Sequence, residues 1–268
     1  MKYELAILGA GQMAEAILRG ILKGGVISPE RIIAADPAGP RRKLFETLGV
    51  TVTAENPVAA RDAKIILLAT KPYQLSDALA PLAPVIATDA VIISIAAGIS
   101  TARIAEVLGR SIRVIRAMPN TPMLIGYGAV AIAPNVSATA KDIADARKIF
   151  ETAALVVEVS EDDIDAVTAL SGSGPAYFFY LVECMIQAGV QMGLSPDISR
   201  QLAIQTCLGS GKLLAESSDS PAELRRKVTT PNGTTHAAIS HMENQGFATT
   251  IVDALEAARK RAKELGQK

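Results

Sequence analysis

Residues 5–14 read Leu5-Ala6-Ile7-Leu8-Gly9-Ala10-Gly11-Gln12-Met13-Ala14, a short apolar run that breaks at a glycine-rich turn. Apolar residues then recur at Met13, Ile17, Ile21 and Leu22, the spacing of a helix over residues 12–23. A strand, a G-x-G-x-x-A turn and a helix in that order form a dinucleotide-binding fingerprint. The first glycine allows the tight turn. The second lets backbone approach a pyrophosphate, and the small third residue lets helix and strand pack closely. The pyrophosphate then lies at the helix N-terminus, where unpaired N–H groups and the helix dipole favour an anion. The bland alternative is a structural glycine turn, and the flanking strand and helix argue against it.

The alternation continues outward. Arg31–Ala35 reads as a second strand ending at Asp36-Pro37, and residues 40–48 as a helix closed by Gly49. Further strands are expected at 50–52, at 65–69 before Lys71-Pro72, at 91–95 before Ala97-Gly98, at 112–116 and at 128–132. Strands that are apolar nearly throughout, joined by helices, indicate a parallel sheet covered on both faces. The expected fold class is α/β, with a Rossmann-type doubly wound parallel sheet over residues 1–160 and an all-helical domain over 161–268. No strand is read in the second part. Helices are expected at 162–192, 196–217, 221–229 and 233–265, the first interrupted by Gly-Ser-Gly-Pro at 172–175. Gly189, Gly193, Gly209 and Gly211 would allow close helix approach. A helical half this rich in apolar and small residues is expected to bury its surplus against a second copy, as a homodimer.

The 268 residues suffice for two domains, and 49% hydrophobic content suffices for a sizeable core. Lys+Arg and Asp+Glu balance at 27 each, so no basic excess invites nucleic acid. Arg259-Lys260-Arg261 sits among Glu256 and Glu264 at helical spacing and reads as a solvated terminal helix. Cys184 and Cys207 fall in apolar stretches and are expected to be buried free thiols in a reducing compartment. His236 and His241 lack companions at chelating spacing, so no metal site is expected. The apolar runs at 65–69 and 91–97 fall short of the ~20 residues of a membrane span. The N-terminal residues lack the long apolar stretch and cleavage site of a signal peptide. A soluble cytoplasmic chain with no membrane partner is expected.

Candidate site residues cluster at the strand ends. Asp36 follows the second strand, where an acid accepts from a ribose 2′-hydroxyl and repels a 2′-phosphate. Arg41 and Arg42 are close enough in sequence to hold that phosphate instead, and a solvated turn aspartate is the third reading. Ala69-Thr70-Lys71-Pro72 and Ala97-Gly98 end strands and should face the cofactor, although Lys71 also reads as a surface lysine. Met118-Pro119-Asn120-Thr121-Pro122 is a rigid loop that either shapes the nicotinamide wall or is simply a turn. In the helical part, Val228-Thr229-Thr230-Pro231-Asn232-Gly233-Thr234-Thr235-His236 gathers four threonines before a helix. Such a turn is a receptor for a small carboxylate. Equally, Thr234 or Thr235 could serve as a simple N-cap.

Taken whole, the chain resembles the pyrroline-5-carboxylate reductases, nearly end to end. The resemblance rests on GAGQMA at 9–14, ATKP at 69–72, AAGI at 96–99, MPNTP at 118–122, DAVTALSGSGPAY at 165–177 and VTTPNGTTHAAI at 228–239. The last two are the specific ones. The resemblance implies a Rossmann domain followed by a helical domain that pairs two subunits, with larger assemblies of such dimers in the family. It implies reduction of L-1-pyrroline-5-carboxylate to L-proline, the last step of proline biosynthesis, with NADPH or NADH. By the same resemblance, cofactor contacts fall on Gly9, Gly11, Gln12, Met13, Asp36, Asn56, Ala69, Thr70, Lys71, Pro72 and Ala97. Substrate contacts fall on Glu161, Thr230, Gly233, Thr234 and Thr235, with the Thr235 hydroxyl reaching the ring nitrogen as the catalytic group. Many family members carry a small hydroxyl residue at the position of Asp36, so no NADPH preference is carried over. Lys227 stands where the family varies, and no contact is assigned to it.

Such a reaction needs no strong base or nucleophile. Hydride must reach the imine carbon, and nitrogen must finish protonated. A carboxylate clamp, a stacked nicotinamide and a hydrogen-bond partner at nitrogen suffice. A threonine hydroxyl is a poor acid alone, so Thr235 is expected to orient and to relay a proton from water. Two other readings stand beside this one. A β-hydroxyacid dehydrogenase would need a lysine base with a companion asparagine, and Lys212 has no asparagine one helical turn later. A non-catalytic dinucleotide sensor would have no use for an intact threonine loop.

Overall fold

The computed structural model describes residues 2–266. The chain divides into two compact units: residues up to Ser173 with those from Ala258 onward, and Gly174–Ala257.

The first unit runs β1 (Tyr3–Leu8), α1 (Gln12–Lys23), β2 (Ile32–Ala35), α2 (Gly39–Thr47), β3 (Thr51–Thr53), α3 (Asn56–Ala60), β4 (Ala63–Leu68), α4 (Leu75–Leu79) and β5 (Val91–Ser94). It continues with α5 (Thr101–Leu108), β6 (Arg113–Pro119), β7 (Gly128–Pro134), α6 (Ala140–Phe150), β8 (Ala154–Glu158) and the short α7 (Ile164–Val167). All eight strands form one sheet in the order β3-β2-β1-β4-β5-β6-β7-β8. Only β6 and β7 pair antiparallel, so the sheet is mostly parallel. A short 3₁₀ connection over Thr121–Ile125 joins those two strands. A parallel pair would have needed a long crossover there.

Strand periodicity sorts the apolar residues into two layers. Leu5 and Ile7 of β1, Val91 and Ile93 of β5 and Ile115 of β6 lie on one face with Ile17, Ile21 and Phe150. Ala6 and Leu8, Ile66 and Leu68, and Ile92 lie on the other with Leu75, Leu79 and Ile104. Burial on both faces is why these strands read as continuous apolar runs. One strand was not foreseen. In β8, Val156 is buried while Leu155 and Val157 are exposed, as at a sheet edge. No glycine or proline separates it from α6, so the sequence carries no punctuation there.

The second unit is helical: α8 (Gly174–Gln191), α9 (Pro196–Glu216), α10 (Pro221–Lys227), α11 (Thr234–Asn244) and the greater part of α12 (Phe247–Gly266). Ser195 and Ser220 cap α9 and α10, accepting from Ile198 N and Glu223 N, each with proline in the first turn. The expected 162–192 helix is interrupted as foreseen, with a π-helical turn over Thr168–Gly172 and α8 restarting at Gly174. Another helix expectation is corrected. The expected 233–265 helix breaks at Gln245-Gly246, where Gly246 takes φ +72° and ends α11.

Of the small residues, Gly189 brings α8 close to α9, since a Cβ there would lie 2.7 Å from Ser199 Oγ. A Cβ on Gly209 or Gly211 would meet nothing within 4 Å, so those two serve no close approach within the chain. The cysteines are also corrected: both thiols are free, but Cys184 is exposed and Cys207 half-buried. Their helices leave apolar faces uncovered, including Phe178, Phe179, Tyr180, Leu202 and Leu208.

Gly9 joins β1 to the loop beyond it at φ +96°, and a Cβ there would lie 2.8 Å from the Ala69 carbonyl oxygen. Both strain and clash oppose any side chain. Gly9→Ala should lower unfolding stability by about 2 kcal/mol or more. Urea denaturation checks this, and an unchanged midpoint would refute the role given to Gly9.

Candidate active site

In the first unit, the sheet order reverses direction between β1 and β4, so the loops after these strands lie side by side. Ala69 N donates to Leu8 O at 2.8 Å, and Ile95 N donates to Leu68 O at 3.0 Å. These bonds extend the ladder past the strands and align the loops holding Gly9, Ala69 and Ala97. Gly11 is exposed and forms the N-cap of α1 with no side-chain cap bond. Gln12 and Met13 open that helix. A Cβ on Gly11 would meet no protein atom within 4 Å, so packing within the chain does not explain this glycine. A ligand approaching the backbone does. Thr70 adds a second sign: its Oγ1 is buried without a hydrogen-bond partner. Asn56 begins α3 just past β3, Pro72 is half-buried, and Lys71 is exposed. The residues present therefore fit a dinucleotide.

Asp36 is not a solvated turn residue. Its Oδ2 accepts from Ala10 N at 2.7 Å and its Oδ1 from Ala38 N at 2.8 Å. Arg41 Nε donates to Ala10 O, and Arg41 Nη2 donates to Glu15 Oε2 at 2.9 Å. Burial alone would raise the Glu15 carboxyl, but bonds from Arg41 and Arg19 and their charge outweigh it and hold it below its ordinary range. Arg42 Nη1 donates to the carbonyls of Asp36 and Pro37, both at 2.7 Å.

Beside this region a buried charge network appears that sequence reasoning missed. Arg116 on β6 is only 6% exposed. Its guanidinium lies 3.7 Å from Glu161 Oε1 and 3.5 Å from Asp165 Oδ1. Glu161 in turn accepts from Thr101 N and Thr101 Oγ1, both at 2.7 Å. A carboxylate thus sits at the N-terminus of α5, where the dipole favours it. The MPNTP loop is anchored likewise: Asn120 Nδ2 donates to Ser171 O at 3.1 Å, and its Oδ1 accepts from Ala129 N at 2.9 Å. An arginine inside an apolar strand followed by two acids four residues apart was the only available signal.

In the second unit, the threonine loop connects α10 to α11. Asn232 takes φ +59°, a left-handed conformation that asparagine tolerates. Gly233 N donates to Thr230 O at 3.0 Å, and a Cβ on Gly233 would collide with Thr230 Oγ1. Gly233 is the N-cap of α11, with no side-chain cap bond. Thr234 and Thr235 are therefore the first two helical residues, not caps. Among the described residues, neither hydroxyl has a partner in the protein, and the first-turn N–H groups face the same end. Such a helix start presents N–H groups and hydroxyls of the kind an anion can accept from. Lys212, by contrast, pairs with Glu216 at 3.7 Å, and both are exposed. It has the setting of a surface ion pair, not of a general base.

A family model described as pyrroline-5-carboxylate reductase dimerisation matches residues 161–265. Another, described as NADP oxidoreductase coenzyme F420-dependent, matches residues 4–98. A pyrroline-5-carboxylate reductase of Synechocystis is 43% identical, with all of both chains covered. The chain belongs to the pyrroline-5-carboxylate reductase family. Among solved structures, the pyrroline-5-carboxylate reductase from Coxiella burnetii superposes with a TM-score of 0.93 at 35% identity, covering 100% of each chain. The Plasmodium falciparum pyrroline carboxylate reductase, solved with NADP bound, superposes with a TM-score of 0.89 at 30% identity, covering 99% of each. The chain is thus an oxidoreductase of proline biosynthesis that uses a nicotinamide dinucleotide.

In this reductase, Arg116 is the buried hub joining β6 to Glu161 and Asp165. Removing it would leave the half-buried Glu161 and Asp165 carboxylates without their cation. Arg116→Ala should cost about 3 kcal/mol of stability. Chemical denaturation tests the figure. A loss below about 1 kcal/mol would mean that the network carries no more than a surface pair.

Proposed function

We propose that the chain reduces L-1-pyrroline-5-carboxylate to L-proline with NADPH or NADH, working as a homodimer in the cytoplasm. The observation that carries this reading is the threonine loop, which places uncapped N–H groups and two partnerless hydroxyls at the start of α11. We assign the dinucleotide to the sheet end, through Gly9, Gly11, Gln12, Met13, Asp36, Asn56, Ala69, Thr70, Lys71, Pro72 and Ala97. The substrate carboxylate is assigned to Thr230, Gly233, Thr234 and Thr235, with Glu161 bordering the substrate. On this reading the chain divides functionally at residue 160, with the dinucleotide-binding part at 1–160 and the substrate-binding and dimerising part at 161–268.

When bound, the reduced dinucleotide supplies hydride to the imine carbon. The chain's own work is to hold the carboxylate, orient the ring and manage one proton at nitrogen. Thr235 donates a hydrogen bond to that nitrogen and relays a proton from water, since its hydroxyl is too weak an acid to give one up alone. The apolar faces of α8 and α9 support the homodimer: Phe178, Phe179 and Tyr180 are each more than 60% exposed in the single chain. Such dimers build larger assemblies in the family, and we extend that capacity to this chain. Two free thiols suit a reducing cytoplasm.

Loss of reduced-nicotinamide absorbance on adding 1-pyrroline-5-carboxylate should be rapid with at least one cofactor. Tight cofactor binding with no turnover would overturn the reading in favour of a sensor. Thr235→Ala should lower kcat at least about tenfold with cofactor Kd unchanged, and Thr235→Ser should restore most of it. An unchanged kcat in the alanine variant removes Thr235 from the chemistry.

A further inference from the structure

We propose that this chain takes NADH in preference to NADPH because Asp36 is itself the anion lodged where an added 2′-phosphate would have to be received. The proposal rests on the assignment of the dinucleotide to the sheet end.

Asp36 follows β2 directly and is half-buried. Both its oxygens are tied to backbone, Oδ2 to the Ala10 N–H inside the glycine loop and Oδ1 to the Ala38 N–H. The carboxylate therefore cannot swing into solvent without breaking two charge-assisted hydrogen bonds. Ala38 is the N-cap of α2. The start of α2, which would otherwise help to receive a phosphate, thus already has a negative group bonded at its cap. A carboxylate offers about four lone-pair positions, so two N–H bonds leave room for a ribose hydroxyl to donate. A phosphate offers charge of the same sign instead.

The nearby cations do not undo this. Arg41 is held by Glu15 Oε2 at 2.9 Å and by the Ala10 carbonyl, and its guanidinium lies 5.8 Å from the Phe45 ring centroid. Its charge is offset and its fork is already in use. Arg42 is folded onto the carbonyls of Asp36 and Pro37, so it braces the same turn that fixes the carboxylate. The arginines that sequence spacing offers to a 2′-phosphate are thus building the loop that disfavours it.

The test is direct binding to the full chain without imine substrate, following the fluorescence of NADH and of NADPH in separate titrations. The NADH Kd should be at least about tenfold lower than that for NADPH. Asp36→Asn removes the charge while keeping an acceptor oxygen, and Asp36→Ser removes the acid altogether. Both should bring the two Kd values to within about threefold of each other, chiefly by tightening NADPH. Arg42→Ala, which loosens the turn but removes no phosphate ligand, should not widen the wild-type ratio. Equal or tighter NADPH binding by the unmodified chain overturns the proposal. So does an unmoved ratio in Asp36→Asn, or a loss confined to NADPH in Arg42→Ala. Failure of both cofactors to bind would instead overturn the sheet-end site, and the preference with it.

Discussion

The contact between the ends of β1 and β4 is the constraint on which the first unit depends. Strand order runs outward from β1 in both directions, so the helices leaving β1 and β4 cover opposite faces. In open α/β sheets, loops that diverge at such a point form the crevice that receives ligands. Here the loops are joined by Ala69 N donating to Leu8 O and by Gly9 lying against the Ala69 carbonyl. With any larger residue at 9, the loop would have to lift. Gly11, which caps α1, and Thr70, which carries the partnerless hydroxyl, would move with it. A single missing Cβ therefore sets the geometry of several cofactor-facing groups.

Charge does the corresponding work around β6. Glu161 lies 60 positions beyond Thr101 in sequence, yet it takes both the backbone and hydroxyl hydrogens of that residue. The start of α5 is thereby tied to the segment after β8, and Arg116 neutralises the carboxylate from within the sheet. A buried pair of this kind adds little net stability over apolar packing, but it penalises any misregistered arrangement that leaves one charge unpaired. Asp36 follows the same logic at the other edge, where a carboxylate bonded to Ala10 N holds the glycine loop in shape. On the proposal above, the side chain that shapes the glycine loop also carries the charge that faces the cofactor.

How far these features could be read from sequence follows from how local their causes are. The glycine fingerprint, the strand ends at Lys71 and Gly98 and the start of α9 at Pro196 each rest on residues within a few positions of one another, and all were legible. β8 was not, because an edge strand shows only Val156 inward and begins without a turn residue. The break at Gly246 was read through, because a lone glycine inside a helical pattern is tolerated at modest cost, and the left-handed backbone there reveals it. The threonine loop left cap and receptor equally open. Backbone geometry makes Gly233 the cap and leaves Thr234 and Thr235 as the first helical residues. The Arg116 network was invisible because its members are 45 to 49 residues apart, a distance that periodicity does not span.

The second unit poses the opposite physical problem. Its helices bury few side chains, with Ser199 and Ala203 the only ones that the fold covers well on α9, while large apolar residues stay exposed along α8 and α9. Such a unit gains little from its own core, so burying those exposed apolar faces would add to its stability. That bears on the chemistry. A receptor built from N–H groups at a helix start works only if the helix is held still, because its donors are strong in fixed directions and weak when they wander. For a substrate as small as a cyclic imine carboxylate, little remote binding energy is available to organise the site on arrival. The order of the α10–α11 loop must therefore be in place before the substrate comes, and in the proposed homodimer the apolar faces of α8 and α9 are what association would bury to supply it.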